Sequence, residues 1–412
     1  MWFVLLAIIT AFVLMFGFLL VSAIFCVWLE RKVAGRIQDR LGPTRVGGKF
    51  GWLQTLADGM KLLVKEDSIP AAADQMLFRV GPYIALVGAF MGFLALPFGF
   101  FAVPVDLNIA VFFMLAAMST EVFGIILIGY GSGSKWSLFG AMRAAAQMVS
   151  YEIPMALCVL VPIVVAGTMN LNQVAIQQLG LWNWYVFHDP FTFGAFWVYF
   201  TCATASCKRA PFDLEEAESE LVAGFHTEYS GFRWLVIFMA EYGSMVAVSG
   251  IANMMFLGGW STGLPVELAT LFGDYAALQF TIGGTIVDLG MGLGNTINVI
   301  VFIFKCWFLV FIMMWVRWTL PRLRIDQVMM TCLKYLVPIS CVLLMGVSLW
   351  QLLLPAWLSD VCRWLIFAGC MLGLAWFIRT LVTFASSKPG EGMPGMWRTT
   401  GLAGYQGAQQ GP

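Results

Sequence analysis

The amino-acid sequence predicts an all-α membrane protein, a bundle of about nine transmembrane helices with one further helix lying in the membrane interface. Hydrophobic residues make up 60% of the 412 residues and charged residues only 11%. A soluble protein carries roughly 25% charged residues, so this chain has too little polar surface to cover a globule. The composition therefore excludes a disordered chain, a fibre, a disulfide scaffold and a nucleic-acid-binding protein.

Long stretches with few or no charges set the number of spans. They cover residues 2–29, 78–97, 108–130, 143–168, 191–207, 234–257, 297–318, 332–354 and 363–384. The first is long enough to cross a hydrocarbon core of about 30 Å. No Lys or Arg precedes Arg31, so the basic region of a cleavable signal peptide is missing and the first helix is expected to be retained. The glycine-rich stretch 278–294 leaves room for a partial, re-entrant span.

The distribution of basic residues predicts the orientation. The first loop, 30–77, contains eight Lys or Arg residues, and every second loop after it is also basic. The intervening loops 98–107, 169–190, 258–296 and 355–361 contain neither Lys nor Arg. Cytoplasmic loops of membrane proteins are enriched in these residues. We therefore expect an external N-terminus, an odd number of spans and a cytoplasmic C-terminus.

Residues 51–66 show the pattern of an amphipathic helix. Leu53, Leu56, Met60 and Leu63 recur at helical spacing, and polar side chains occupy the opposite side. Directly after a membrane helix, such a segment is expected to lie in the interface plane, with Trp52 as an anchor. A helix lying beside the bundle would create a side opening for a lipid-soluble substrate. The alternative is that it only pads the bundle.

The loop 208–233 is acidic as well as basic. Asp213 and Glu216 fit a helix-capping box, which gives part of this acidity a structural explanation. Glu216 and Glu220 are four residues apart, a spacing at which like charges repel on a helix. Glu218 lies between them and Glu228 follows. Such a cluster, packed against protein, is suited to holding and passing on protons.

Three acids lie inside predicted spans. Glu121 and Glu152 are each about 14 Å from the end of their span, and Glu241 is about 10 Å deep, at 1.5 Å per helical residue. Ionisable groups at this depth face a bundle interior or a wet path. We interpret the three acids as stations of a proton path. The alternative is a static ion pair, for instance with Arg143 or Lys305.

The nine cysteines are interpreted as small buried hydrophobic residues, and no metal site is expected. The sequence has no C-x-x-C pair and only two histidines, His188 and His226. These residues cannot supply the ligand spacing of a zinc or iron–sulfur site.

Four blocks of sequence form one recognisable set. The blocks lie in the first loop, the fourth span, the third cytoplasmic loop and the loop after span seven. They read ERKVAGRIQ at 30–38 with RLGPTRVG at 40–47 and LADGMKL at 56–62; RAAAQMVSYEIP at 143–154; RAPFDL at 209–214 with ESELVAGFHTEYSG at 218–231; and RWTLPRLRIDQ at 317–327. They cover most of residues 20–335, and in wording and order they resemble one family, the H subunit of NADH-quinone oxidoreductase, or respiratory complex I.

The resemblance implies the membrane side of a quinone chamber and a chain without a redox cofactor of its own, with quinone as the substrate. The quinone tail would enter between the first, sixth and interfacial helices. The residues that match this chamber are Trp28, Arg31, Arg36, Arg40, Trp52, Leu53 and Leu56.

The resemblance also implies an acidic route that couples quinone reduction to proton translocation in the pump modules. The residues that match this route are Glu121, Glu152, Glu216, Glu218, Glu220, Glu228 and Glu241. The implied partners are the peripheral-arm subunits of the quinone site, the adjacent small membrane subunits and membrane lipid, with no nucleic acid. The implied location is the cell inner (plasma) membrane, with multiple passes.

Three positions depart from the family pattern. Ser206 occupies a position where many members carry an acid, Thr44 replaces the usual Asn, and Trp318 replaces a small residue. Ser206 puts in doubt that every station of the acidic route is present.

Three other functions are compatible with parts of the sequence: the equivalent subunit of a membrane-bound hydrogenase, a stand-alone ion transporter, and a passive anchor for a peripheral arm. Charged cytoplasmic loops suited to docking argue against the transporter, and acids within spans argue against the anchor.

We expect one membrane domain over 1–385, with cytoplasmic loops 30–77 and 208–233, and a disordered cytoplasmic tail over 386–412. The choice between ubiquinone and menaquinone stays open.

Overall fold

The computed structural model describes residues 2–100, 102–214, 222–265, 279–282 and 285–386. Residues Met1–Arg363 form one compact unit and Trp364–Pro412 a second. The predicted tail beyond residue 386 lies outside the described residues.

Eleven helices contain most of the described residues. They are α1 (Trp2–Ile37), α2 (Gln54–Val64), α3 (Gln75–Met91), α4 (Ala110–Gly131), α5 (Lys135–Ala166), α6 (Leu171–Gln177), α7 (Pro190–Ser206), α8 (Gly231–Phe256), α9 (Leu289–Thr319), α10 (Ile325–Leu353) and α11 (Ala356–Ser386). Short 3-10 turns lie at Leu181–Asn183, Tyr185–Phe187 and Gly224–His226. One π-helical turn, Thr331–Leu336, interrupts α10.

Six of these helices are long and apolar enough to cross a membrane: α4, α5, α8, α9, α10 and α11. The three other stretches predicted as spans are also helical, in α1, α3 and α7. The helix α3 and the helix α7 each have 17 residues, near the lower limit for a span. The predicted all-α class therefore describes this structure, with six candidate spans established by length and composition.

Local sequence explains where several helices begin and end. The Asp74 carboxylate accepts hydrogen bonds from the backbone N–H groups of Met76 and Leu77 at the start of α3. The carboxylate of Asp189 caps α7 at the Thr192 N–H, and Pro190 occupies the first helical position. Gly167 ends α5 in the left-handed conformation, with φ of 66°.

The glycine-rich stretch near residue 280 contains a short β-hairpin before α9 begins. Gln279–Ile282 pairs antiparallel with Thr285–Asp288. The β-branched residues of these strands flank the sequence Gly283-Gly284, a strong hairpin signal. In place of the partial span expected for 278–294, the described residues of this stretch form two paired strands and the start of α9.

Helix α8 is central to the first unit. Its side chains are buried almost throughout, from Val236 to Phe256. The polar groups on α8 are therefore surrounded by protein and need partners there.

Small residues bring α3 and α4 into close contact, since a Cβ at Gly124 would lie 2.5 Å from the backbone nitrogen of Ala85.

Six of the nine cysteines are buried, as expected for small hydrophobic side chains. Cys341 is exposed, and Cys362 and Cys370 are partly buried. The prediction is wrong for Cys341, because α10 turns that face away from the bundle.

Candidate functional site

A buried set of charged side chains joins α1, α4, α8 and the loop after α7, and Arg317 on α9 contacts it. Glu30, at the end of α1, accepts a 2.6 Å hydrogen bond from the Arg317 guanidinium and lies 3.4 Å from that of Arg209. The Tyr242 hydroxyl also donates to Glu30. A buried carboxylate needs this many partners, because removing a charge from water costs several kcal/mol.

Arg209 links this carboxylate to a second one on α8. Its Nε lies 3.3 Å from the Glu241 carboxylate, and its guanidinium covers the Tyr242 ring at 4.6 Å. The side chain of Arg209 is only 4% exposed. One cation therefore holds two acids from different helices inside the protein.

The preceding residue forms the next pair in the same region. Lys208 Nζ lies 3.3 Å from the Glu121 carboxylate on α4, with both side chains 3% exposed. The ammonium also covers the Phe225 ring at 5.2 Å. We call Glu30, Lys208, Arg209, Glu241 and Glu121 the ionic cluster.

The loop after α7 positions the two cations of the ionic cluster. Lys208 has a left-handed backbone, with φ of 54°, and the Ala210–Pro211 peptide bond is cis. The Gln147 amide on α5 donates to the backbone carbonyls of Ala205 and Phe212, at 2.7 and 2.8 Å. This amide fixes both ends of the turn, so that Lys208 and Arg209 point into the bundle.

A cavity of about 250 Å³ adjoins the ionic cluster between α4, α5 and α8. Glu121 and Glu152 both line it, together with the hydroxyls of Ser119, Ser206 and Ser244. Two carboxyl groups and three hydroxyls facing one space are suited to holding water between them. Ser206, one of the positions that depart from the expected pattern, contributes one of these hydroxyls.

A second cavity, of about 290 Å³, lies between α1, α2 and α8. Its lining is mainly apolar and includes Ile24, Leu56, Met60 and Phe238. Leu56 and Met60 are also half exposed, at 50% and 59%. The apolar stripe of α2 therefore borders both this cavity and the outside of the chain.

Polar and aromatic contacts fasten α2 to α1 beside the apolar cavity. The rings of Trp28 and Trp52 stack at 4.1 Å, and the Trp28 indole donates to the Phe50 carbonyl at 2.9 Å. Arg31 forms an ion pair with Asp58. Arg31 also lines a polar cleft of about 510 Å³ that includes Arg40, Arg45 and Gln54.

The structure distributes the residues predicted for the quinone chamber over three places. Leu56 and Arg31 line the apolar cavity, and Arg31 and Arg40 line the polar cleft. Trp28 and Trp52 stack on each other, and Leu53, just before α2, is 52% exposed. Arg36 is exposed and lines neither space.

The residues predicted for the acidic route are only partly described. Glu121 and Glu241 belong to the ionic cluster, Glu152 shares the cavity with Glu121, and Glu228 is half-buried in the loop before α8. Glu216, Glu218 and Glu220, and with them the capping box of Asp213 with Glu216, lie outside the described residues. Asp213 itself forms an ion pair with Arg322 at 3.2 Å.

The ion pairs differ from those considered in the sequence. Glu121 and Glu241 pair with Lys208 and Arg209. Lys305 donates instead to backbone carbonyls near the end of α8. The expectation that Lys305 pairs with an acid is wrong, because three backbone carbonyls after α8 accept the hydrogen bonds of its ammonium group.

Sequence reasoning missed the role of Glu30, Tyr242 and Arg317. Glu30 and Arg317 stand in two of the four family-like sequence blocks, and each adjoins the cytoplasmic end of a predicted span. A charged residue at such a position, with a complementary charge at the same level on another span, was the available signal.

His226 is a further buried ionisable group beside the ionic cluster. Its ring stacks near Phe225 at 4.1 Å, and its Nδ1 has no hydrogen-bond partner among the described residues. Burial, aided by the charges of Lys208 and Arg209, lowers the pKa of His226 to about 4, although Glu241 acts in the opposite direction. The imidazole is thus neutral at physiological pH.

Within the described ranges, no group of three or more His, Cys, Asp or Glu side chains is arranged to hold a metal ion.

Comparisons with known proteins give one consistent result. The sequence model of the family described as "NADH dehydrogenase" matches residues 9–348. The NADH-quinone oxidoreductase H subunit of Chlorobaculum tepidum is 44% identical over 352 residues, which cover 85% of this chain and 93% of that protein. The H subunit of Anaeromyxobacter dehalogenans is 40% identical over 384 residues, 92% of this chain and 90% of that protein. The H subunit of Bacteroides thetaiotaomicron is 41% identical over 322 residues, 78% and 84% respectively.

Proposed function

The chain belongs to the family of NADH-quinone oxidoreductase H subunits, multi-pass membrane subunits of complex I, and on this premise we propose that it forms the membrane side of the quinone chamber and couples quinone reduction to proton translocation. The membership confirms the family indicated by the four sequence blocks. It also sets aside the hydrogenase subunit and the stand-alone transporter as identities for this chain.

The apolar cavity between α1, α2 and α8 is the observation that carries the quinone proposal. A quinone combines a long apolar tail with a polar ring. The apolar cavity suits the tail, and the adjoining cleft with Arg31 and Arg40 suits the polar end. Because the exposed side of α2 is apolar, a tail would enter from the lipid without crossing water.

The ionic cluster supports the coupling proposal. Reduction of a quinone adds two electrons and takes up two protons, so negative charge develops near the head group until protons arrive. Arg209 lies between Glu30 and Glu241, and a change of charge or position in the loop 208–231 would alter both pairs. A change in the charge of Glu121 would then act on Glu152, because both carboxyl groups line the same cavity.

The full route is proposed to include Glu216, Glu218, Glu220 and Glu228 on the loop side. Protons on these acids would shift as the quinone is reduced and would bias the antiporter-like pump subunits. Ser206 lines the cavity, so this chain would use a hydroxyl, with water, at a position where the resemblance implies an acid in many members.

We also propose nine spans, with the N-terminus outside and the C-terminus in the cytoplasm of the cell inner membrane. Each of the nine predicted stretches has most of its residues in a helix, and the basic loops all lie on one side in this arrangement. The proposed neighbours are the peripheral-arm subunits at the cytoplasmic loops and the small membrane subunits beside the spans. Quinone is the proposed substrate of the complex, with no redox cofactor assigned to this chain.

The coupling proposal is tested in the purified complex with Glu152→Gln and Glu216→Gln. We expect the assembled variants to lose most proton pumping or quinone reductase activity, because the amide cannot exchange a proton with the route. Asp360→Asn is the matched control, since the Asp360 side chain is 61% exposed on α11. Normal coupled activity in the double variant of Glu152 and Glu216 would refute the proton route.

The chamber proposal is tested with a photoaffinity quinone analogue. Labelling should fall within residues 28–65, and Leu56→Trp should reduce it by filling the apolar cavity. Leu352→Trp is the control, because Leu352 is 81% exposed on α10. Labels confined to other subunits would count against a chamber wall in this chain.

A further inference from the structure

Lys305 on α9 is enclosed by backbone oxygens from the segment that follows α8. Its Nζ donates to the carbonyl oxygens of Leu257, Gly259 and Ser261, at 2.8, 3.0 and 2.8 Å. An ammonium group has three N–H donors and no acceptor, so these three bonds use it fully. We call the three oxygens the carbonyl cage.

The backbone conformation explains why three carbonyls converge. Helix α8 ends at Phe256, and its last carbonyls have no partner within the helix. Gly258 and Gly259 then adopt positive φ angles of 76° and 54°, which turn the chain sharply. A Cβ at Gly258 would lie 2.4 Å from the Trp184 indole nitrogen, so only glycine fits there.

The described surroundings of the carbonyl cage are buried and include an aromatic ring. Gly258, Gly259, Trp260 and Ser261 are buried. Lys305 Nζ also lies 4.5 Å from the centre of the Trp184 ring, close enough for a cation–π contact. In the described part of the chain, Lys305 forms no salt bridge with a carboxylate. Neutral oxygens and an aromatic face are the ligands of a compact monovalent cation.

Backbone carbonyls that are buried away from water require hydrogen-bond partners inside the protein. The carbonyls of a helix end also carry partial negative charge, which favours a cation beside them. We propose that the carbonyl cage is a binding site for one primary ammonium ion, filled by Lys305, and that this tethered cation joins α9 to the end of α8. The site lies at the end of α8 opposite Glu241 and does not depend on the proposed quinone chemistry.

The test measures hydrogen exchange by mass spectrometry in the purified complex, over peptides that contain residues 257–261. Lys305→Ala should accelerate exchange of this segment about a hundredfold, because three charge-assisted hydrogen bonds are lost together. Ammonium chloride at about 100 mM should restore slow exchange in this variant, since a free ion must match the high local concentration of a tethered one. Tetramethylammonium chloride is the ionic-strength control, because it has no N–H donor.

Three further variants make the result specific. Lys305→Met fills the space without charge, so its exchange should be fast and insensitive to ammonium. Lys305→Gln keeps two donors without charge and should exchange about tenfold faster than the wild type. Lys334→Ala is the matched control, because Lys334 is an exposed lysine on α10.

Wild-type exchange in Lys305→Met or Lys305→Gln would overturn the proposal, because the carbonyl cage would then be stable without a cation. Equal protection by tetramethylammonium, or an equal effect of ammonium on Lys334→Ala, would also overturn it, because salt rather than the site would be responsible. If Lys305→Ala does not assemble, the exchange rates of the Met and Gln variants decide the outcome.

Discussion

Replacing Arg209 with methionine is the sharpest test of the ionic cluster. Methionine keeps most of the side-chain length but removes the cation that holds Glu30 and Glu241. Glu30 retains Arg317 and Tyr242, whereas Glu241 loses its salt bridge with Arg209. Removing one member of a buried ion pair costs about 3–5 kcal/mol, because the remaining charge is left uncompensated.

That cost sets the size of the measurable effect. The free energy of local opening around Arg209 and Glu241 should fall by about 3 kcal/mol. Amide hydrogen exchange in this segment should therefore become about 150-fold faster. The double variant Arg209→Met/Glu241→Gln removes the stranded charge and should recover more than half of this free energy. Hydrogen exchange in the purified complex measures both quantities in the same peptides.

An exposed ion pair provides the control for Arg209→Met. Lys61 lies 3.7 Å from Asp58, but its side chain is 75% exposed, so Lys61→Met should change exchange by less than about threefold. If Arg209→Met behaves like Lys61→Met, the buried pairs contribute nothing. If the double variant is as open as the single one, Arg209 and Glu241 are not coupled and the proposed link between the loop and α8 fails.

Three other predictions concern single positions. The His226 imidazole should stay neutral down to about pH 5, as followed by NMR of labelled histidine, because its pKa is about 4 in the folded protein. Its pKa in the unfolded chain is 6.5, so the unfolded state binds the proton first as the pH falls. The contribution of His226 to the free energy of unfolding is therefore complete above pH 6.5 and falls by about 3 kcal/mol between pH 6.5 and 4. Stability that does not decline in this interval would contradict the burial of His226. Gly140→Ala should lower thermal stability, by about 1–3 kcal/mol, because its Cβ would lie 2.7 Å from Gly224 Cα, whereas Gly59→Ala, with open space around it, should be neutral or stabilising; equal melting temperatures would refute the close contact. Trp52→Ala should raise the KM for quinone about threefold to tenfold with little change in kcat, because the stack on Trp28 contributes about 1 kcal/mol to holding α2; an unchanged KM would separate α2 from quinone entry.

Much of the architecture could be predicted because it depends on local composition. Each of the nine apolar stretches became a helix, and the amphipathic pattern of 51–66 became the helix Gln54–Val64. These features depend on residues within one turn of each other. The hairpin at 279–288 was not predicted, because its two strands are short and their β-branched residues were read as part of a glycine-rich segment.

The candidate site could be predicted only in outline. The acids Glu121 and Glu241 were expected to face the bundle interior, and they do. Their partners were not predicted, because Lys208 and Arg209 stand in a loop that the charge pattern assigned to the cytoplasmic side. That loop is held inward by Gln147, which lies 58 and 65 residues before the two carbonyls it contacts. The roles of these acids and of the chamber residues stay predictions.

The sequence by itself determined the class of the protein and the positions of most of its helices, since hydropathy and charge are properties of short stretches of chain. Four blocks of sequence also indicated its family. The tertiary structure decided which charges meet: Arg209 with Glu30, 179 residues away, and Lys208 with Glu121. Neighbouring cations in one loop thus serve acids on three different helices. Such pairing depends on the distances between packed helices, and in a buried region of low dielectric only charges within a few ångströms compensate one another.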